Sequence, residues 1–137
     1  MKNYFNLDEF HKPSIALPDD VKEKIEKYHI PELNRIREEL GCPIIISRHS
    51  GYRPYEYEIS RGRSGKSEHC YRRNGAVDIT CKEDKFSELW ELMKKSKYTR
   101  VCLYPNNRFI HCDFKLRKGK QLFMCLDGKH WERYRDI

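Results

Sequence analysis

An α+β fold, an antiparallel sheet backed by helices, follows from three features of the sequence. Helical periodicity is confined to the first third of the chain and one later segment. Short runs rich in β-branched and aromatic residues crowd into the second half, and the links between those runs are short. At 137 residues the chain forms one domain, 1–137, long enough to bury a core without staples.

Residues 1–18, with Pro13 and Pro18, read as an irregular lead segment. A helix is predicted from Asp19, capped by Asp19 or Asp20, with Val21, Ile25 and Tyr28 on one face. Pro31 either breaks it or starts a second helix, in which Leu33, Ile36 and Leu40 continue the apolar stripe and Gly41 is the stop. Residues 43–47 are nearly all apolar and predict a buried strand. Residues 48–67 are polar and rich in Gly, Ser, Arg and Tyr, which predicts a long loop lining a cleft. Strands follow at 75–80, 100–104, 108–114 and 121–126, with a turn at Pro105-Asn106-Asn107. Between them a helix over 84–95 buries Phe86, Leu89, Trp90 and Met93.

Hydrophobic residues make up 38% and charged residues 36%, and no apolar run is long enough to span a bilayer. The first residues lack the apolar core of a secretory signal, so synthesis in the cytoplasm is expected. The six cysteines contain no C-x-x-C pair and are expected as reduced thiols. A net charge of +7 implies attraction to polyanions such as nucleic acid or an anionic bacterial wall. No DNA- or RNA-binding motif accompanies the charge, so nucleic acid is not the expected partner.

The chemistry concentrates in Ser67–Asp78 and Ile110–Asp113. His69, Asp78 and His111 offer two imidazoles and a carboxylate, a ligand set that suits a catalytic zinc ion with a fourth position for water. A lone His or Asp is usually structural; three compatible residues in this order argue for a site. Strand alternation puts Phe109, His111 and Asp113 on one face, while Ile110 and Cys112 turn toward apolar packing. Asp113 then sits beside His111 as a supporting group or as the general base. By the same alternation Asp78 shares a face with the small Ala76.

The runs Ser50-Gly51-Tyr52-Arg53, Ser67-x-His69, Gly75-Ala76-x-Asp78 and Phe109-Ile110-His111-x-Asp113 together resemble the zinc D-alanyl-D-alanine carboxypeptidase family. That family includes phage endolysin peptidases and murein endopeptidases and shares its fold with the hedgehog signalling domain. The opening residues 4–10 and the helix end before Pro43 are similar too, so the resemblance covers nearly the whole chain. It implies Zn2+ held by His69, Asp78 and His111, with Arg53 pairing with a substrate carboxylate and Ser67 beside it. It implies a peptidoglycan peptide substrate containing D-amino acids and action at the bacterial cell wall. The missing signal makes a phage or virion-associated setting the expected one, and no membrane partner is expected.

Two departures from the pattern stand out. The segment between His69 and Asp78 is two residues longer, and Arg108 occupies the position where several branches carry an acidic base. Asp113 is the expected substitute, with His130 and Glu132 behind it, and His49 is expected to line the cleft. Arg108 also keeps a second reading open, a non-catalytic, zinc-stabilised binding module. Tyr52, Tyr55 and Tyr57 are expected to pack the loop or stack on substrate, Trp131 to do either, and Arg72 and Arg73 to form a solvated basic face.

Overall fold

The computed structural model describes residues 2–135. Helix α1 (Asp19–Lys24), a wider π turn (Ile25–His29) and α2 (Ile30–Leu40) form one unbroken helical run through Pro31. A proline ring crowds the carbonyl four residues earlier and brings no N–H. The wider turn, in which Ile30 N donates to Ile25 O, lies just upstream of it. The turn also shifts the buried face: Val21, Ile25 and His29 point inward, and the expected Tyr28 is only half-buried. Gly41 ends the run in the left-handed conformation (φ 77°).

Six strands form one sheet in the order β1-β2-β4-β3-β5-β6: β1 Ile45–Ile46, β2 Ala76–Thr80, β3 Arg100–Tyr104, β4 Phe109–Asp113, β5 Gln121–Met124 and β6 Glu132–Arg133. All pairings are antiparallel except β3 with β5. From β3 through β5 the chain alternates up and down, but residues 114–120 carry it past the end of β3, so β5 lies on the far side of that strand. Helix α4 (Phe86–Lys94) packs on α2 and β3, and its Leu89, Trp90 and Met93 enter the core. Among the described residues no helix is long and apolar enough to cross a membrane, and all six cysteines are free thiols.

Several expectations are corrected here. The strand at 43–47 shrinks to two residues, with Ile45 exposed, because the chain turns sharply at Ser47. The loop at 48–67 contains a helix, α3 (Tyr55–Ser60), which starts after Pro54 and buries one glutamate, Glu58. A buried glutamate on an otherwise polar turn leaves no apolar period to read. The terminal strand β6 was not anticipated at all.

Candidate metal centre

Cross-strand register is what assembles the site. In the β2–β4 pair Asp78 stands opposite His111 and Ala76 opposite Asp113, so all four share one face of the sheet. His69 arrives from a short 3-10 turn, Glu68–Cys70, whose start is capped by Ser67: its Oγ accepts from His69 N at 3.1 Å. The three ligand atoms meet. His69 Nε2 lies 3.3 Å from Asp78 Oδ1, His111 Nδ1 lies 3.0 Å from the same oxygen, and the two nitrogens are 3.2 Å apart.

Each ligand's other polar atom is tied elsewhere. His69 Nδ1–H donates to Gly51 O (2.7 Å), His111 Nε2–H donates to Asp113 Oδ2 (2.8 Å), and Asp78 Oδ2 accepts from Ser50 Oγ (2.7 Å). These partners fix both tautomers, because a carbonyl or carboxylate can only accept. The inward nitrogens of the neutral rings are therefore lone pairs, aimed at each other and at an ionised oxygen. Three converging acceptors in a buried place could hold a metal ion. Zinc bonds of 2.0–2.2 Å in tetrahedral geometry place ligand atoms about 3.3 Å apart, close to the spacing found. Two imidazoles and a carboxylate, each held by an outer hydrogen bond, fit a zinc site of the open kind.

Without a metal, a proton takes part of that role. Burial pushes the His111 imidazole down, but its bonds to Asp113 and Asp78 outweigh this and lift its pKa to about 9. Burial lowers His69, which Asp78 only partly offsets. Burial works to raise both acids; the two imidazoles nonetheless hold Asp78 well below the usual carboxylate range, and His111 and Arg100 do the same for Asp113.

Both oxygens of Asp113 are engaged. Its carboxylate is fully buried, takes Arg100 Nε (3.0 Å) and Nη2 (2.7 Å) on the oxygen that holds His111, and accepts Lys115 N on the other. It touches the nitrogen of His111 that faces away from Asp78 and His69. Arg108 points away as well: it is a left-handed residue (φ 56°) whose guanidinium pairs with Glu83 outside the cleft. His130 pairs with Asp127 on the surface, and Glu132 is exposed on the edge strand β6.

Arg53 and Ser67 line the same cleft as the three ligands. Arg53 Nε sits 3.6 Å from Glu58 Oε1, and Arg63 Nη1 takes the other oxygen at 2.6 Å. Glu58 of α3 therefore steers both guanidiniums. Trp131 forms a further wall, edge-on to His111 (5.2 Å) and beneath Arg100 (4.7 Å). His49 lines the neighbouring part of the cleft, Tyr52 packs on Tyr71, and Arg73 pairs with Glu68.

The longer segment between His69 and Asp78 is absorbed by burying it. Tyr71 turns back in the left-handed region (φ 58°), fills the space over Gly75, and donates from its hydroxyl to Ala76 O (3.1 Å). His29 anchors the same segment through Asn74 O (2.7 Å).

Residues 3–113 match the family model described as Peptidase M15. The chain belongs to the Peptidase M15 family. That family comprises zinc-dependent metallopeptidases of the D-alanyl-D-alanine carboxypeptidase type. No curated protein and no solved structure matches the chain. The M15 match ends at Asp113, so Lys115, Gly128 and Trp131, which also line the cleft, lie beyond it.

Sequence reasoning missed Ser50, Glu58 and Arg100. Ser50 stood in a motif already singled out, and alternation on β3 would have placed Arg100 beside Asp113 had the strand order been known. Glu58 carried no signal.

Proposed function

We propose that this M15 chain hydrolyses amide bonds in peptidoglycan stem peptides or their cross-links, as a cell-wall lytic enzyme of phage or bacterial origin. The observation behind this reading is the convergence of three acceptor atoms whose opposite sides are all occupied. In the proposal His69, Asp78 and His111 hold the zinc. Bound there, zinc would polarise the scissile carbonyl and bring a water's pKa to about 7.

The chain's own residues then position the reactants. Arg53, steered by Glu58, offers its guanidinium to a substrate carboxylate, a planar match that lysine would lack. The Ser67 hydroxyl keeps a donor for the same part of the substrate. Asp113 becomes a positioning residue in place of the general base: it locks the His111 ring and is itself locked by Arg100. Trp131 shields one side of that ring from water.

Digesting defined muropeptides with the zinc-loaded protein and weighing the products tests the activity and names the bond. Absence of any cleavage, with zinc bound, would favour the non-catalytic module. One observation keeps that module in view: the carboxylates lining the cleft, Glu68 and Asp78, are both engaged. For Asp113→Asn the positioning role predicts a 10–100-fold weaker hold on zinc. Unchanged zinc affinity with turnover abolished would return Asp113 to the role of base.

A further inference from the structure

The cleft continues past the three ligands. A second concavity of ≈ 350 Å³ adjoins it and shares Arg53, Arg63, Asp78 and Phe109 with the first. Its far wall carries Lys12, Arg48 and Arg61, and Asp78 is its one carboxylate. Arg63 is paired with Glu58, but no ion pair to Lys12, Arg48 or Arg61 exists among the described residues. Arg61 instead donates to the neutral Tyr57 hydroxyl from Nε (3.2 Å) and Nη2 (3.1 Å), and the Lys12 ammonium lies 5.1 Å from that ring.

Like charges gathered in a concavity repel one another unless something negative joins them. The backbone is strained at one of them. Arg48 (φ 51°) and His49 (φ 55°) are consecutive left-handed residues with full side chains, a conformation that residues other than glycine rarely adopt. The same turn brings Ser50 back to β2, where its carbonyl accepts Asp78 N (2.9 Å) and its hydroxyl reaches Asp78 Oδ2 (2.7 Å). One strained turn thus both orients a ligand carboxylate and sets a cation on the wall beside it.

We propose that Lys12, Arg48 and Arg61 make this concavity an anion subsite for a side-chain carboxylate of the substrate peptide, a second acid apart from the one assigned to Arg53. The word substrate rests on the peptidase reading; the binding preference does not. The continuity with the ligand cleft suits an acidic side chain of the same peptide. The subsite makes the protein select peptides with a free acid over their amidated counterparts.

The test uses two synthetic stem peptides that differ only in one side carboxylate, free in one and a primary amide in the other. Binding to the zinc-loaded protein is measured by calorimetry and cleavage by mass spectrometry. The free acid is expected to bind at least about tenfold tighter, the scale of one charge-assisted hydrogen bond. The preference should shrink as salt is raised. In Arg48→Asn/Arg61→Gln the ratio should fall toward one; asparagine tolerates the left-handed backbone, and zinc content and circular dichroism check the fold. Equal binding of the two peptides by the wild type would overturn the subsite, as would a preference that survives in the double variant. A DNA oligonucleotide that binds through Arg48 and Arg61 while the peptides do not discriminate would also overturn it. Preference without cleavage upholds the subsite and removes the peptidase reading; cleavage without preference does the reverse.

Discussion

Two imidazoles of this protein are both buried and behave in opposite ways. His29, between the helical run and the loop before β2, meets only neutral partners: its Nδ1 accepts from the Tyr98 hydroxyl (2.9 Å) and its Nε2–H donates to Asn74 O (2.7 Å). Burial therefore drives its pKa down to about 4. His111 on β4 stands between two carboxylates, and the same burial is overcome, leaving a pKa of about 9. Burial alone makes a histidine a structural peg. Acidic partners on both of its nitrogens make it a place for a cation, whether proton or metal.

The strongest way to break this contrast is to remove an acid from the cluster. Asp78→Ala deletes one ligand and leaves two facing lone pairs, so the variant should hold no zinc at equilibrium and lose hydrolysis with it. Metal analysis after dialysis checks this, and one retained zinc per chain would refute the assignment.

Stability against pH separates the two histidines in the metal-free protein. His29 has a folded pKa below the unfolded 6.5, so its contribution is fully present above pH 6.5 and lost as pH falls toward about 4. His111 has a folded pKa above 6.5, so its contribution is fully present below pH 6.5 and lost as pH rises through about 9. Each limb amounts to roughly 3 kcal/mol. Urea unfolding with a chelator present should show a maximum near pH 6.5, and zinc should erase the alkaline limb alone. A profile unchanged by zinc above pH 7 would count against His111 as a ligand.

Smaller changes probe the supports. A methyl on Gly51 would stand 2.5 Å from Phe10 O, on the backbone that takes the Tyr52 N–H (2.7 Å) and beside the carbonyl that orients His69. Gly51→Ala should cost about 1–3 kcal/mol of stability and loosen zinc as well. A melting temperature equal to wild type would show that the lead segment yields freely. Ser50→Ala removes only the hydroxyl on Asp78 Oδ2, for which about a tenfold loss of zinc affinity with an unchanged fold is expected. Competition with a chromophoric chelator resolves a change of that size.

Much of this was legible in the residues. Amphipathic spacing marked α2 and α4, short apolar runs between turn residues marked β2 through β5, and His69, Asp78 and His111 stood out by residue type and order. The helix α3 escaped because Glu58 is buried through charge, by pairing with Arg53 and Arg63, and not through apolar periodicity. The wider turn before Pro31 escaped because a helix interrupted by proline and one that adjusts around it share the same residues.

Local order along the chain therefore determined which groups were on offer: the ligand types, the strands that carry them, and the cationic loop. Only the tertiary structure decided what each group does, since that depends on which atom faces which. The β2–β4 register set Asp78 against His111, the placement of β3 beside β4 brought Arg100 onto Asp113, and the turn at Arg48 returned Ser50 to Asp78. Side-chain alternation assigns a residue to a face, but a base and an orienting group can share that face. The distances to His111 and Arg100 are what favour the orienting role proposed for Asp113.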